Sequence, residues 1–413
     1  MKEMEATLEI TALAAGGDGV GRTDGMVVFV PRTAVGDIAR VRVTPAKKFG
    51  RGVLLGLDRE SPDRVAPPCA HYVMDRCGGC QVQHLSYDAQ LRAKRTIIGD
   101  AVRRIGRREA PDPEVVASES QWRYRRKLTL HLRWTGKGWI AGLHPFDDPV
   151  SVFDLHDCPI TGERVLDAWK ALRPLFPLLP HERALRASVR IVDDVVAVTV
   201  EGGTRWPGSA EFFRQATVVT ELWWKPEHGR VRRLAAREAG SAGDGAGAFV
   251  QVNARVAALL RDRVLARVRA HEGERVIDAY AGSGATAVPL ARDGRTVVAI
   301  EWDNAAVKAM SSQLRAPSRA IAGRVEDHLS SELPADVVLL NPPRTGLDQR
   351  VTAALQSVAR APGLLVYVSC DPATLARDLA RLSRYRLADM RAYDMFPQTA
   401  HVETVCELVP EAA

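Results

Sequence analysis

The sequence predicts an α/β multidomain chain: an N-terminal OB-like β-barrel, a central α+β domain and a C-terminal Rossmann-like, doubly wound sheet. Three observations carry this reading. Short alternating strands crowd the first 58 of 413 residues, three of the six cysteines fall between positions 69 and 80, and apolar strands alternate with helical stretches from about residue 250 onward. The length also asks for more than one core, since single cores rarely grow past about 250–300 residues.

Residues 1–58 form the first domain. Alternating or apolar runs at 7–13, 27–30 and 37–44 surround the turn Gly16-Gly17-Asp18-Gly19, and five short strands suit a small barrel. Residues 59–68 hold three prolines and read as a linker. The central domain spans 59–240, with an amphipathic, arginine-rich helix at 85–108 and a flexible glycine-rich joint at 239–247. The C-terminal domain spans 241–413. Its strands fall at 275–280, 296–301, 319–323, 336–340, 363–369, 386–393 and 403–409.

The 57 Lys and Arg exceed the 50 Asp and Glu by only +7, a surplus compatible with a polyanionic partner but too small to prove one. Between 92 and 133, twelve basic residues face five acidic ones. There Trp122-Arg-Tyr-Arg-Arg-Lys127 interleaves aromatics with cations, a pattern suited to base stacking and phosphate contact, or simply to a solvated face. No run reaches the ~18 apolar residues of a membrane span. The opening Met1-Lys2-Glu3-Met4-Glu5 lacks a basic-then-apolar leader, so a cytoplasmic, membrane-free protein is expected.

Chemistry concentrates at strand ends. Val276-Ile-Asp278-Ala-Tyr280-Ala-Gly282-Ser-Gly284 joins a strand to a helix through glycines, which let backbone approach a ligand. The next strand ends in Glu301, where a carboxylate can accept both hydroxyls of a ribose, and a third leads to Glu326-Asp327, placed to meet an adenine edge. Together these resemble the S-adenosylmethionine site of class I methyltransferases. Asn341-Pro342-Pro343-Arg344 is a rigid turn ending the fourth strand. Cys370 follows a central strand and precedes a helix, whose N-terminus is expected to lower its pKa. His401 and Glu403 share one face of an extended segment, and either could be a general base. Cys69, Cys77, Cys80 and the distant Cys158 offer four thiolates, a set that favours a [4Fe–4S] cluster over zinc and over disulfides. Cys406, on the last strand, reads as a core residue.

These residues together resemble the RNA uracil-5 methyltransferase family, in the iron–sulfur branch that makes 5-methyluridine in 23S ribosomal RNA. The likeness spans the chain: a TRAM barrel, the four cysteines, Phe249-Val-Gln251-Val-Asn253, the glycine and proline motifs, Ser369-Cys370-Asp371-Pro372 with Arg377-Asp378, and Phe396-Pro397…His401-Val-Glu403. The resemblance implies a class I methyltransferase domain, Cys370 as nucleophile and Glu403 as base. It implies that Gln251, Tyr280, Gly282, Gly284, Glu301, Asp327 and Asn341 line the S-adenosylmethionine and substrate site, and that Cys69, Cys77, Cys80 and Cys158 hold the cluster. Where relatives usually carry Asp and Asn, this chain has Asn341 and Asp371. The implied substrate is RNA, 23S rRNA first and tRNA as the alternative, for a monomeric enzyme. Two rival readings are an RNA amino-methyltransferase using Asn341-Pro-Pro and a non-catalytic RNA-binding protein.

Overall fold

The computed structural model describes residues 3–237 and 251–411. The expected joint at 239–247, with Phe249 and Val250, lies outside them. Strands β1 (Met4–Glu9), β2 (Ala12–Leu13), β3 (Gly19–Thr23), β4 (Met26–Val30), β5 (Ile38–Pro45) and β6 (Gly50–Arg59) make one six-stranded sheet ordered β1-β5-β6-β4-β3-β2. That is one strand more than the five expected; the 7–13 run spans β1 and β2, and β3 begins at the Gly16–Gly19 turn. Alternation in β5 buries Ala39, Val41 and Val43 completely and turns Arg40 and Arg42 outward. The buried Asp37 carboxylate ties the barrel's exit by accepting the Ala34 and Ser61 N–H groups and the Arg64 guanidinium.

The cysteine segment holds helix α1 (Ala70–Val73). Helix α2 (Tyr87–Arg104) is capped by Ser86, whose Oγ accepts the Ala89 N–H. Its apolar face is used by the C-terminal sheet: Ile98 and Val102 are fully buried in a core they share with Ile277, Tyr367 and Leu379. Strand β7 (Glu114–Val116) then pairs in parallel with an edge of that same sheet. Thus 87–116, grouped by sequence with the central domain, packs on the C-terminal one.

The central sheet comprises β8 (Lys127–Trp134), β9 (Trp139–Gly142), β10 (Ala184–Val192), β11 (Val195–Glu201), β12 (Glu221–Lys225) and β13 (Arg232–Ala236), ordered β13-β12-β11-β10-β8-β9. Helices α3 (Glu163–Leu172) and α4 (Ser209–Gln215) contribute to the core on one of its faces, where Leu128, Leu130, Leu132, Val189 and Val198 are buried.

Helix α5 (Ala254–Ala270), capped by Asn253, opens the last unit. It continues β14 (Arg275–Ala279), α6 (Ala287–Arg292), β15 (Thr296–Glu301), α7 (Asn304–Ser311), β16 (Arg319–Ala322), α8 (Val325–Glu332), β17 (Val337–Leu340), α9 (Gln349–Ser357), β18 (Leu364–Ser369), α10 (Pro372–Arg381), β19 (Tyr385–Tyr393) and β20 (Glu403–Pro410). The order β16-β15-β14-β17-β18-β20-β19-β7 is parallel except around β20, which runs antiparallel to both neighbours. Strands β17 and β18 are buried along their whole length, as a parallel sheet covered on both faces requires. Cys406 lies fully buried inside that sheet's core. No described helix is long and apolar enough to cross a membrane.

Candidate active site

The antiparallel pairing of β18 with β20 decides the geometry. Ser369 lies opposite Thr404, so the next step of the same register brings Cys370 beside Glu403. Facing residues in an antiparallel pair have Cβ atoms about 4.5–5.5 Å apart. Glu403 acts electrostatically on Cys370, and Arg344, just past the end of β17, acts on both and on His401. A thiol, a carboxyl and a guanidinium from three strand ends therefore meet at the carboxyl edge of the sheet, where doubly wound folds bind ligands.

Their protonation follows from this neighbourhood. Burial lifts the Glu403 carboxyl to about 7, with Arg344 pulling it down. Burial and the Glu403 charge hold the half-buried Cys370 thiol above its ordinary range, again opposed by Arg344. This corrects the expectation that the helix N-terminus lowers the Cys370 pKa. The end of α10 is already filled: Asp371 accepts the Thr374 N–H at 2.8 Å, and Pro372 at its first position has no N–H to give. His401 is exposed, precedes β20 and sets its ring edge-on to Phe396.

A buried carboxylate supports the proline turn. Asp378 accepts the Leu347 N–H at 2.7 Å and the Tyr367 hydroxyl at 2.8 Å, while Arg377 donates to Asp378 and to the Thr345 carbonyl. Gly346 has φ +75°, and a Cβ there would come within 2.4 Å of Asp378. The turn carrying Asn341 and Arg344 is thereby locked onto β18 and α10. Asn341 itself is exposed at the end of β17.

The other edge strands carry the expected cofactor residues. Glu301 accepts the Gly282 N–H at 2.8 Å and the Asp303 N–H at 2.9 Å, which leaves lone pairs over on each oxygen. Gly282 has φ +55° and open space where a Cβ would be. Tyr280, partly buried, takes φ +68°, a conformation uncommon for a non-glycine and frequent at ligand sites. Beneath the loop, burial pushes the Asp278 carboxyl to about 6, and Thr286 bonds to it. Asp327 is exposed in the first turn of α8 and pairs with Arg350 at 2.8 Å. Gln251 is partly buried and leads through Val252 to the Asn253 cap. The carboxylate, glycine and edge residues fit an adenosyl ligand. Sequence reasoning missed two side chains here. Arg344 entered only as the last residue of the proline turn, and Trp302, 72% exposed beside Glu301, went unremarked.

The cysteines converge as expected, but not into a finished centre. Cys69, Cys77 and Cys80 are buried, Cys158 is partly so, and Cys158 acts electrostatically on the other three. Burial pushes the Cys77 thiol up to about 11 and that of Cys80 to about 12; the Gly79 N–H donates to Cys77 Sγ at 3.3 Å. All are free thiols. Among the described residues no group of three or more Cys, His, Asp or Glu side chains is arranged to hold a metal ion. The donors share one neighbourhood without the geometry of a metal shell, so the expected [4Fe–4S] site is not supported at that level.

The cysteine segment also braces the loop that leads to Glu403. Val82 donates to the Gln398 carbonyl, Gln81 accepts the Ala400 N–H, and the Tyr124 hydroxyl donates to the Pro397 carbonyl at 2.9 Å. Lys94, fully buried, binds Asp394 at 2.5 Å. One expectation falls with these contacts. Tyr124 is packed against Cys69 and Cys80, so its ring cannot stack on a base. Part of the basic run at 92–133 is engaged internally: Arg92 pairs with Asp63, Arg103 with Asp112, Arg123 with Asp157, and Arg108 holds the carbonyls of Leu379 and Leu382.

Comparison with known proteins agrees with this architecture. Residues 3–55 match the TRAM domain, and residues 318–409 match the family described as tRNA (Uracil-5-)-methyltransferase. An RNA methyltransferase of Protochlamydia amoebophila is 30% identical across 97% of this chain and 96% of its own length. The 23S rRNA (uracil(1939)-C(5))-methyltransferase RlmD of Pseudomonas putida is 32% identical across 96% of this chain and 92% of its own. Among solved structures, the tRNA (uracil-54, C5)-methyltransferase of Pyrococcus abyssi, in complex with S-adenosyl-L-homocysteine, superposes with a TM-score of 0.73 at 26% identity, covering 98% of this chain and 99% of that one. The chain therefore belongs to the RNA uracil-5-methyltransferase family, with an N-terminal TRAM domain.

Proposed function

We propose that this protein methylates C5 of a specific uridine in RNA, 23S rRNA in the first place, with Cys370 as nucleophile and Glu403 as base. The observation that carries the reading is the meeting of Cys370, Glu403 and Arg344 at the ligand-binding edge of the sheet. Uracil C5 is too weak a nucleophile to be alkylated unaided. Addition of the Cys370 thiolate to C6 moves electron density to C5. S-adenosylmethionine, held by Glu301, Asp327 and the Gly282 loop, supplies an activated methyl group when bound. Glu403, ionised near neutrality, then removes the C5 proton, and the thiolate departs. Likeness favours ribosomal RNA over transfer RNA, since the 23S rRNA relative is 32% identical and the tRNA enzyme 26%. The test is a 5-methyluridine map of ribosomal and transfer RNA with and without the gene. Loss of one 23S position is expected, and an unchanged map overturns the reading.

Arg344 supplies the opposite charge in this site. Arg344→Gln is expected to lower kcat about 10–100-fold and to move the rising limb of the pH–rate profile upward, because Cys370 and Glu403 both lose their counter-charge. Arg344→Lys should restore the limb. A profile that stays in place in Arg344→Gln contradicts this role.

We also propose that Cys69, Cys77, Cys80 and Cys158 hold a [4Fe–4S] cluster. Support comes from four soft donors in one neighbourhood, three of them buried, with a backbone N–H aimed at one sulfur. Bound iron and sulfide in anaerobically purified protein, absent from the Cys77→Ser/Cys80→Ser variant, are the expected result.

A further inference from the structure

The central sheet has one face in its core and one turned away from it. On the outward face, β8 presents Lys127, Thr129, His131 and Arg133, the residues that alternate with the buried Leu128, Leu130 and Leu132. Strand β10 sets Arg190 directly opposite Lys127 and Arg186 directly opposite His131. Like charges opposite one another across a sheet are destabilising. Burial and the neighbouring Arg190 and Arg186 lower the Lys127 pKa, and burial, His144 and Arg186 lower that of His131. Among the described residues, no hydrogen bond or ion pair engages the side chain of Lys127, Arg133 or Arg186, although Glu201 lies opposite Arg186 and acts on Lys127. This contrasts with the run at 92–122, where most cations have partners.

The position of the face matters as much as its charge. The Arg126 N–H donates to the Val252 carbonyl, and the Arg126 carbonyl accepts the Ile191 N–H. The Lys127–Arg190 end of the sheet therefore borders the segment that carries Gln251 into α5 and the C-terminal domain. A chain lying along β8 and β10 would approach the methyltransferase domain from that end.

We propose that this sheet face, centred on Lys127, Arg133 and Arg186, is a track for the sugar–phosphate backbone of the RNA substrate; the proposal rests on the uridine-methylation reading above. Phosphates neutralise the facing cations, and Thr129 and Ser188, opposite each other between them, add neutral hydrogen-bonding groups. An acidic protein would satisfy the same charges. RNA is favoured because the face adjoins the domain expected to act on RNA.

The test uses the full-length protein and the variant Lys127→Ala/Arg133→Ala/Arg186→Ala. Binding of a fluorescein-labelled, uridine-containing single-stranded RNA of about 20 nucleotides is measured by anisotropy across a salt series. The slope of log K against log salt is expected to fall in magnitude by about 2, as loss of three phosphate contacts requires at about 0.7 each. In methyl transfer, KM should rise at least ~10-fold with kcat within ~2-fold. Lys127→Arg/Arg186→Lys, which keeps the charge, should match the wild type. If the triple variant melts below the wild type, Lys127→Gln alone should still reduce the slope by about 0.7. An unchanged slope and KM overturn the proposal, as does loss of binding to labelled poly-L-glutamate with RNA binding intact. Absence of any methyl transfer by the wild type, with its RNA binding salt-dependent, would instead overturn the functional reading.

Discussion

Cys370→Ala is expected to abolish methyl transfer to RNA, with a fall of at least ~10⁴-fold in kcat, while RNA affinity stays near that of the wild type. The size of the effect follows from the chemistry. Without addition at C6 there is no enolate, and C5 of uracil is not alkylated at a useful rate. The side chain itself contributes little to stability: it is half-buried at a strand end, outside the core clusters. Scintillation counting of tritiated methyl groups in RNA checks the result. The rival chemistry, methylation of an exocyclic amine by way of the exposed Asn341, uses the amine itself as nucleophile, needs none from the protein and would survive this substitution. Retained turnover in Cys370→Ala would therefore decide for that rival.

Glu403→Gln should behave differently. The variant can still add Cys370 to the base, but it lacks the group that removes the C5 proton, so kcat should drop about 10²–10⁴-fold and a covalent protein–RNA species should accumulate. The wild-type pH profile follows from the direction of the shift. Burial raises Glu403 to about 7, so it is protonated and idle as a base below that pH. The rate should rise through about pH 7 as the carboxylate forms. The raised Cys370 pKa extends the rise to higher pH. In Glu403→Gln the limb near 7 should vanish; a limb that persists there would assign it to another group.

The strand ends were legible in the sequence because parallel strands buried on both faces are written as unbroken apolar runs, such as Val337–Leu340 and residues 364–368. A cysteine or carboxylate following such a run must lie at the sheet's edge. Tertiary partnership was not legible. Lys94 and Asp394 are 300 residues apart, and nothing local tells a paired lysine from an RNA-binding one. The same holds for Tyr124, whose aromatic–cation neighbourhood suits stacking until its ring is seen packed against Cys69 and Cys80. Periodicity placed α2 correctly, but an apolar stripe does not name the sheet it covers. The direction of the Cys370 shift was not legible because burial and the Glu403 charge, which outweigh the helix N-terminus, come from residues distant in the chain.

The central claim is that Cys370 and Glu403 act in sequence on one uracil. Incubation of Glu403→Gln with RNA and S-adenosylmethionine, followed by nuclease and protease digestion and mass spectrometry, tests it most directly. The expected product is the peptide containing Cys370 linked through sulfur to a uridine that already carries the added methyl group. Methylated RNA formed without any adduct, or an adduct on a cysteine other than Cys370, would contradict the account.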